Sequence, residues 1–149
     1  MDRAEKAAQL FLQGYNCAQA VVVAYSDLTG MDESFSAKIA SSFGGGMGRL
    51  REVCGAVSGM FMVAGILYGY DNSDDDESKA AHYALIQELA AKFREENGSI
   101  ICREILKNPP SDPAPSKRTA EYYAQRPCAR MVYCATKILE EYIAEHPIC

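Results

Sequence analysis

The sequence lacks the short motifs of several common enzyme classes. It contains no nucleotide-binding glycine loop, no H-E-x-x-H metalloprotease motif and no G-x-S-x-G nucleophile elbow. No two of its six cysteines have the C-x-x-C spacing of zinc ribbons and thioredoxins, and no ferredoxin-like cysteine run occurs. Common cofactor-dependent and hydrolytic functions therefore have no support in the sequence.

An excess of basic residues is also absent. The chain of 149 residues has 15 Lys and Arg against 20 Asp and Glu, and its net charge of −5 makes nucleic acid a poor candidate partner. No signal peptide is recognisable, because Met1 to Lys6 is charged and the next turns are amphipathic. We therefore expect a cytoplasmic protein.

Strand-like alternation of polar and apolar residues does not occur in the chain, so the sequence predicts an all-α fold. We expect one compact domain over residues 1–149, a bundle of about five to seven helices. Four prolines between Asn108 and Ser116 predict an extended connector. Helical periodicity and capping residues place the main helices at about 2–13, 17–28, 34–43, 53–70, 74–96, 100–107 and 127–145.

A glycine-rich loop precedes the most apolar part of the chain. Four glycines lie within five residues between Phe43 and Arg49, too many for a stable helix. Val53 to Tyr70 then contains no charged residue and no proline, which predicts a buried central helix, the most buried of the bundle. This run is at the lower limit for a membrane span, and its glycines and acidic far flank favour a buried helix instead.

Gly55 and Gly59 are four residues apart and therefore share one face of the predicted central helix. Two interpretations remain open. The glycines could allow a neighbouring helix to pack closely, or they could leave space beside Cys54 for a cofactor or partner.

Cysteine is abundant for a chain without a signal peptide, which favours metal binding or redox chemistry over a structural disulfide framework. Cys134 is predicted in the middle of a helix, and Cys149 is the last residue. At a helix start, the partial positive charge favours the thiolate, the reactive and metal-binding form. Four of the six cysteines share a position within the first turn of a predicted helix: Cys17, Cys54, Cys102 and Cys128.

Nearby arginines strengthen the case for thiolates, since a cation lowers the pKa of a neighbouring thiol. Arg49 and Arg51 precede Cys54, and a loop that can open to solvent adjoins it. We therefore expect Cys54 to be the most reactive thiol, with a lowered pKa, and Cys134 to react slowly. Further arginines flank the other sites: Arg103, Arg126 and Arg130.

These segments resemble the C_GCAxxG_C_C family of redox-active proteins over nearly the whole chain. Cys54 to Gly59 matches the C-G-A-x-x-G motif, and Phe43 to Gly48 resembles the glycine loop of the family. Gly14 to Val21 is similar to its first cysteine segment and Asn97 to Leu106 to its third, while Cys128 corresponds to the fourth cysteine. The resemblance implies a redox site, with Cys134 and Cys149 outside it. The catalytic residues that it implies are Cys17, Cys54, Cys102 and Cys128.

Three functions remain open at this stage. The first is a thiol-based oxidoreductase acting on a redox partner or a small molecule, with Cys54 as the reactive centre and the other three cysteines as resolving partners. The second is a metal-binding protein in which the same four thiolates hold zinc or an iron–sulfur cluster. The third is a non-enzymatic helical interaction protein, for example a homodimer, with inert buried thiols and no cofactor. Nucleic acid and membrane partners are not expected, and neither the cofactor nor the substrate is assigned.

Overall fold

The fold is a bundle of helices, described here from a computed structural model over residues 1–148. Cys149 lies outside the described residues. Between α4 and α5, a 3₁₀ turn at Ser41–Phe43 leads into the glycine loop. Nine helices lie within residues 1–148: α1 (Arg3–Leu12), α2 (Cys17–Ala24), α3 (Ser26–Thr29), α4 (Glu33–Ala40), α5 (Gly55–Tyr68), α6 (Asp76–Asn97), α7 (Cys102–Leu106), α8 (Ala120–Gln125) and α9 (Cys128–Glu145).

The all-α prediction is confirmed. Within residues 1–148 there is no strand, and only one isolated antiparallel bridge, between Val53 and Ile101, has β character. The helices outnumber the predicted five to seven because some segments are divided. The predicted helix at 17–28, for example, is divided at Tyr25 into α2 and α3. A single domain over residues 1–149 stays a prediction.

The glycine loop and the proline-rich connector lie where the sequence predicts them. Gly45 and Gly46 have positive φ angles of 66° and 70°, so the short coil at Gly44–Met47 does not continue as a helix. No helix lies between the end of α7 at Leu106 and the start of α8 at Ala120. In the described part of the chain, no helix has the length and apolar character needed to cross a bilayer.

Helix α2, rather than α5, is the most buried helix, and the prediction for residues 53–70 is wrong in this respect. Helix α2 contacts α1, α4, α5 and α9, and Val21, Val22 and Val23 have no exposed surface. Helix α5 is buried over its first half, but Ile66 in its second half is 46% exposed. The difference arises because α5 is longer than α2 and continues past the helices that cover it.

Close packing between α2 and α5 explains the glycines at 55 and 59. A Cβ atom on Gly59 would lie 2.9 Å from the carbonyl oxygen of Ala18 and 3.0 Å from Cβ of Val21. A Cβ atom on Gly55 would lie 2.9 Å from the carbonyl oxygen of Phe43. Real Cβ atoms essentially never approach an atom as closely as 2.9 Å, so glycine at 59 allows α2 and α5 to pack closely, and glycine at 55 allows α5 to approach the 3₁₀ turn.

Candidate functional site

The four cysteines named by the sequence pattern border one cavity of about 310 Å³. Cys17, Cys102 and Cys128 are the first residues of α2, α7 and α9, and Cys54 is the N-cap residue of α5. Four helix starts therefore face the same space. The sequence places each cysteine correctly at a helix start, and the structure brings the four together.

A capping arrangement fixes the start of α2 and with it the position of Cys17. The side chain of Asn16 accepts a hydrogen bond from the amide of Gln19 at 2.8 Å, and the Gln19 side chain accepts one from the amide of Asn16 at 3.0 Å. The backbone of Gly45 and the amide of Cys17 itself both lower the pKa of the Cys17 thiol. A Cβ atom on Gly55 would lie 3.1 Å from that sulfur, so Gly55 keeps room for it.

Two distant segments pair to bring Cys54 and Cys102 to the same cavity. The amide of Cys54 donates to the carbonyl oxygen of Ile100 at 2.7 Å, and the amide of Cys102 donates to that of Glu52 at 2.6 Å. These bonds flank the isolated bridge seen in the fold. The periodicity of the sequence does not reveal this pairing, because it involves too few residues.

The glycine loop closes over this pairing in an unusual backbone conformation. Met47, Arg49 and Arg51 have positive φ angles of 70°, 68° and 62°, a region that residues with side chains seldom adopt. Gly46 is required here, because a Cβ atom on it would lie 2.6 Å from Cβ of Cys102. Such strain persists only when surrounding contacts hold it, and it is frequent at functional sites.

Cys17 is the thiol most readily ionised. Its pKa falls from the ordinary 9.0 to about 6, chiefly because it accepts a hydrogen bond from the side chain of Cys128. Burial opposes this effect, while the backbone of Gly45 and the positive charge of Arg118 support it. The negative charge of the site is therefore concentrated on Cys17.

The expected lowering of the Cys54 pKa is wrong. Burial raises the pKa of Cys54 well above 9.0, and the negative charge of Cys17 raises it further. The amides of Ala56 and Val57 at the start of α5 act in the opposite direction but do not outweigh burial. Position at a helix start thus does not by itself produce a thiolate when the sulfur is cut off from solvent.

The other two cavity thiols also remain protonated. The pKa of Cys128 is raised, first by its hydrogen bond to Cys17 and then by burial. The pKa of Cys102 is raised by burial, although the guanidinium of Arg51, whose Nη1 donates to the Cys102 sulfur at 3.6 Å, acts against this. Of the four cavity cysteines, Cys17 therefore has a lowered pKa, while the pKa values of the other three are raised.

Comparison with known proteins now identifies the family. Residues 15–142 match the family described as "Putative redox-active protein (C_GCAxxG_C_C)". The chain belongs to this family. Searches of curated proteins and of solved structures gave no match.

Arginines of this C_GCAxxG_C_C protein contribute to the cavity in a way that the sequence only partly indicates. Arg103 does not border the cavity and instead pairs with Glu52 at 3.0 Å. Arg118 also borders the cavity, but no sequence motif or capping residue beside it indicates a role in the site. The arginines that border the cavity are Arg49, Arg51, Arg118 and Arg126.

Cys134 lies away from the cavity, as the sequence predicts. Its thiol donates a hydrogen bond to a carboxylate oxygen of Glu96 at 2.8 Å and accepts one from the side chain of Asn97 at 3.4 Å. Burial and the neighbouring carboxylate raise the pKa of Cys134 to about 12. Cys149, which the sequence also excludes from the site, lies outside the described residues.

Metal binding by the cavity cysteines is not confirmed by the structure. The described residues contain no group of three or more His, Cys, Asp or Glu side chains that could hold a metal ion. Of the two glycines predicted to contact a cofactor, Gly55 borders the cavity and Gly59 packs against α2.

Proposed function

We propose that this protein is a thiol-based oxidoreductase in which Cys17 attacks a disulfide and Cys128 resolves the product. The observation that carries the proposal is that these two cysteines begin α2 and α9 and border the same cavity, where the side chain of Cys128 is the main cause of the lowered pKa of Cys17. A thiol with a lowered pKa and a second thiol in the same cavity are the two groups that a two-cysteine exchange reaction requires. The redox description of the family agrees with this chemistry.

The reaction has two balanced steps. The Cys17 thiolate attacks one sulfur of a disulfide R–S–S–R, forming a mixed disulfide and releasing R–S⁻. The Cys128 sulfur then attacks the Cys17 sulfur, forms the Cys17–Cys128 disulfide and releases the second R–S⁻, which takes the Cys128 proton. The protein gives up two electrons and the substrate gains them. A dithiol reductant returns the pair to the reduced state by the same exchange.

Cys54 and Cys102 have a supporting role in this proposal. Both are buried, and the pKa of each is raised in part by the charge on Cys17. Two neutral neighbours leave Cys17 as the only strong nucleophile among the cavity thiols. We also propose the cytoplasm as the setting, since thiols stay reduced there.

Two results of the structure weigh against the alternatives. The metal alternative lacks a ligand set within residues 1–148. The alternative of inert thiols does not account for the lowered pKa of Cys17 or for four cysteines around one cavity. A purely structural thiol is normally surrounded by apolar groups, which raise its pKa.

The test uses reduced protein, purified without oxygen, that reacts with a small disulfide before peptide mapping. We expect a Cys17–Cys128 disulfide in the wild type, a stable mixed disulfide on Cys17 in Cys128→Ser, and almost no reaction in Cys17→Ser. The matched control is Cys134→Ser, which should behave as the wild type because Cys134 lies outside the cavity. Exchange centred on Cys54, or zinc or iron bound in proportion to protein, would overturn the proposal.

A further inference from the structure

The cavity of the four cysteines is rich in positive charge. Four arginines border it, and no Asp or Glu side chain does so among the described residues. The carboxylate of Asp112 lies near one of them, 3.5 Å from Arg49. The four guanidinium groups carry four positive charges, and the Asp112 carboxylate and a Cys17 thiolate carry two negative charges. The cavity therefore has a net charge of about +2.

Arg51 is the most unusual of these arginines because it is only 4% exposed. Its Nε atom donates to the carbonyl oxygen of Pro110 at 2.9 Å, and Nη1 donates to the sulfur of Cys102 at 3.6 Å. Its Nη2 atom is buried and has no hydrogen-bond partner within the described chain. A buried charged donor without a partner is costly, so this atom indicates a place for an acceptor that the chain does not supply.

The backbone holds Arg51 firmly in this position. Its φ angle is 62°, its amide donates to the carbonyl oxygen of Gly45 at 3.3 Å, and its own carbonyl oxygen accepts from the amide of Arg103 at 3.1 Å. The left-handed conformation thus directs a long cationic side chain inward, although a surface position would be less costly. The inward position of Arg51 is therefore fixed by the backbone of the loop.

Two further arginines are also held in place. Arg118 donates from Nη1 to the carbonyl oxygen of Phe11 at 3.0 Å and from Nη2 to that of Tyr15 at 3.1 Å. The guanidinium of Arg126 lies over the ring of Tyr122, 5.2 Å from its centroid. These groups supply a fixed positive field inside the cavity without needing to rearrange when an anion enters.

We propose that the cavity binds the anionic group of a small-molecule disulfide, with Nη2 of Arg51 as the buried donor. The disulfide part rests on the proposed function, while the anion site stands on the arginines alone. A cavity of about 310 Å³ is at the lower end of the range for small ligands. Apolar residues such as Ile105 and Met131 also border it and suit a short aliphatic chain. The substrate class is therefore a short disulfide that carries an anionic group, for which a carboxylate serves as the probe.

The first experiment compares three disulfides of similar size: dithiodipropionate, which is anionic, hydroxyethyl disulfide, which is neutral, and cystamine, which is cationic. Rates of Cys17 oxidation are divided by the rates for a free cysteine peptide, which removes differences in intrinsic reactivity. We expect the anionic disulfide to be preferred over the neutral one by about tenfold or more, and cystamine to be slowest. Equal corrected rates for the three compounds would overturn the inference.

Charge-removing variants locate the site. Arg51→Gln should abolish most of the preference for dithiodipropionate, and Arg126→Gln should reduce it. Arg126 is half-buried and makes only a ring contact, so this second variant tests the site even when Arg51→Gln does not fold. The matched control is Arg94→Gln, the same charge change on the exposed side of α6, which should leave the preference intact. A loss of preference that is equal in Arg94→Gln and Arg126→Gln would mean a general charge effect and would contradict the proposal.

A second experiment separates this inference from the proposed function. Suberate has the shape of dithiodipropionate with two carbons in place of the sulfurs, so it can bind but cannot exchange. We expect calorimetry to show suberate binding to the wild type and to Cys17→Ser, and none to Arg51→Gln or to the wild type with a neutral diol of the same length. Binding of suberate without disulfide exchange would defeat the proposed function and support the anion site. Disulfide exchange without suberate binding and without a charge preference would support the proposed function and defeat the anion site.

Discussion

The side chains of Cys17 and Cys128, at the starts of α2 and α9, border one cavity, and their interaction lowers the pKa of Cys17 and raises that of Cys128. The backbone of Gly45 and the amide of Cys17 itself lower the pKa of Cys17 further. Its charge then raises the pKa of Cys54, Cys102 and Cys128. The four thiols therefore titrate as a linked group.

The first prediction concerns the pH dependence of Cys17 alkylation. In the wild type the midpoint should lie near the pKa of about 6. Cys128→Ala removes the donor to the thiolate, so the midpoint should rise towards the ordinary value of 9.0. Cys128→Ser keeps a donor and should retain most of the lowering. The measurement is iodoacetamide labelling at several pH values with mass spectrometry of the Cys17 peptide. An unchanged midpoint in Cys128→Ala would show that the hydrogen bond has no such effect.

The second prediction concerns the order of labelling at neutral pH. Cys17 should be modified first, and Cys54 at least about tenfold more slowly because burial keeps it protonated. Cys134, with a pKa of about 12, serves as an internal reference for a slow thiol. Mapping of all labelled cysteines after short exposure checks the order. Faster labelling of Cys54 than of Cys17 in folded protein would refute it.

The third prediction concerns stability and pH. The pKa of Cys17 is lowered from 9.0 to about 6 in the folded protein, so between these values the unfolded chain binds more protons. Raising the pH from 6 to 9 should therefore stabilise the wild type relative to Cys17→Ala, and lowering it through 6 should remove this advantage. The slope cannot exceed about 1.4 kcal/mol per pH unit. Urea unfolding of both proteins under reducing conditions measures it. A constant difference across this range would contradict a lowered pKa.

The fourth prediction concerns the contact between α2 and α5. Gly59→Ala should lower the free energy of unfolding by about 1–3 kcal/mol, because the new Cβ would lie 2.9 Å from the carbonyl oxygen of Ala18. Gly65→Ala is the matched control on the same helix, where a Cβ meets no atom within 4 Å. There the change should stabilise the protein by up to about 1 kcal/mol. Urea denaturation distinguishes the two, and equal effects would argue against close packing at Gly59.

Local sequence features predict the helix starts well. Asn16 with Gln19 forms a capping box, and the helix that follows Pro127 begins at Cys128. Each of these signals acts over a few residues, so a single sequence contains them in full. For the same reason, the position of each cavity cysteine relative to its own helix follows from the sequence.

The distribution of charge could not be predicted because it depends on contacts between distant segments. The arginines before Cys54 suggested that it would ionise, yet Arg49 donates to Asp112 and Arg51 donates to Cys102. Both arginines have positive φ angles, a local backbone conformation that the sequence pattern does not reveal. The burial of Cys54 and the contact between Cys17 and Cys128 likewise exist only in the assembled bundle.

The two residues of the reactive pair lie near opposite ends of the chain, on α2 and α9. Because α9 packs against α1 and α2, the two cysteines meet only when the N-terminal and C-terminal helices are docked against each other. Contacts so distant along a chain form late in folding, after the entropy of closing a long loop has been overcome. Newly made or partly folded molecules would therefore present thiols of ordinary acidity. An acidic Cys17 is consequently a marker of maturation, and its appearance during refolding should coincide with the docking of the last helix.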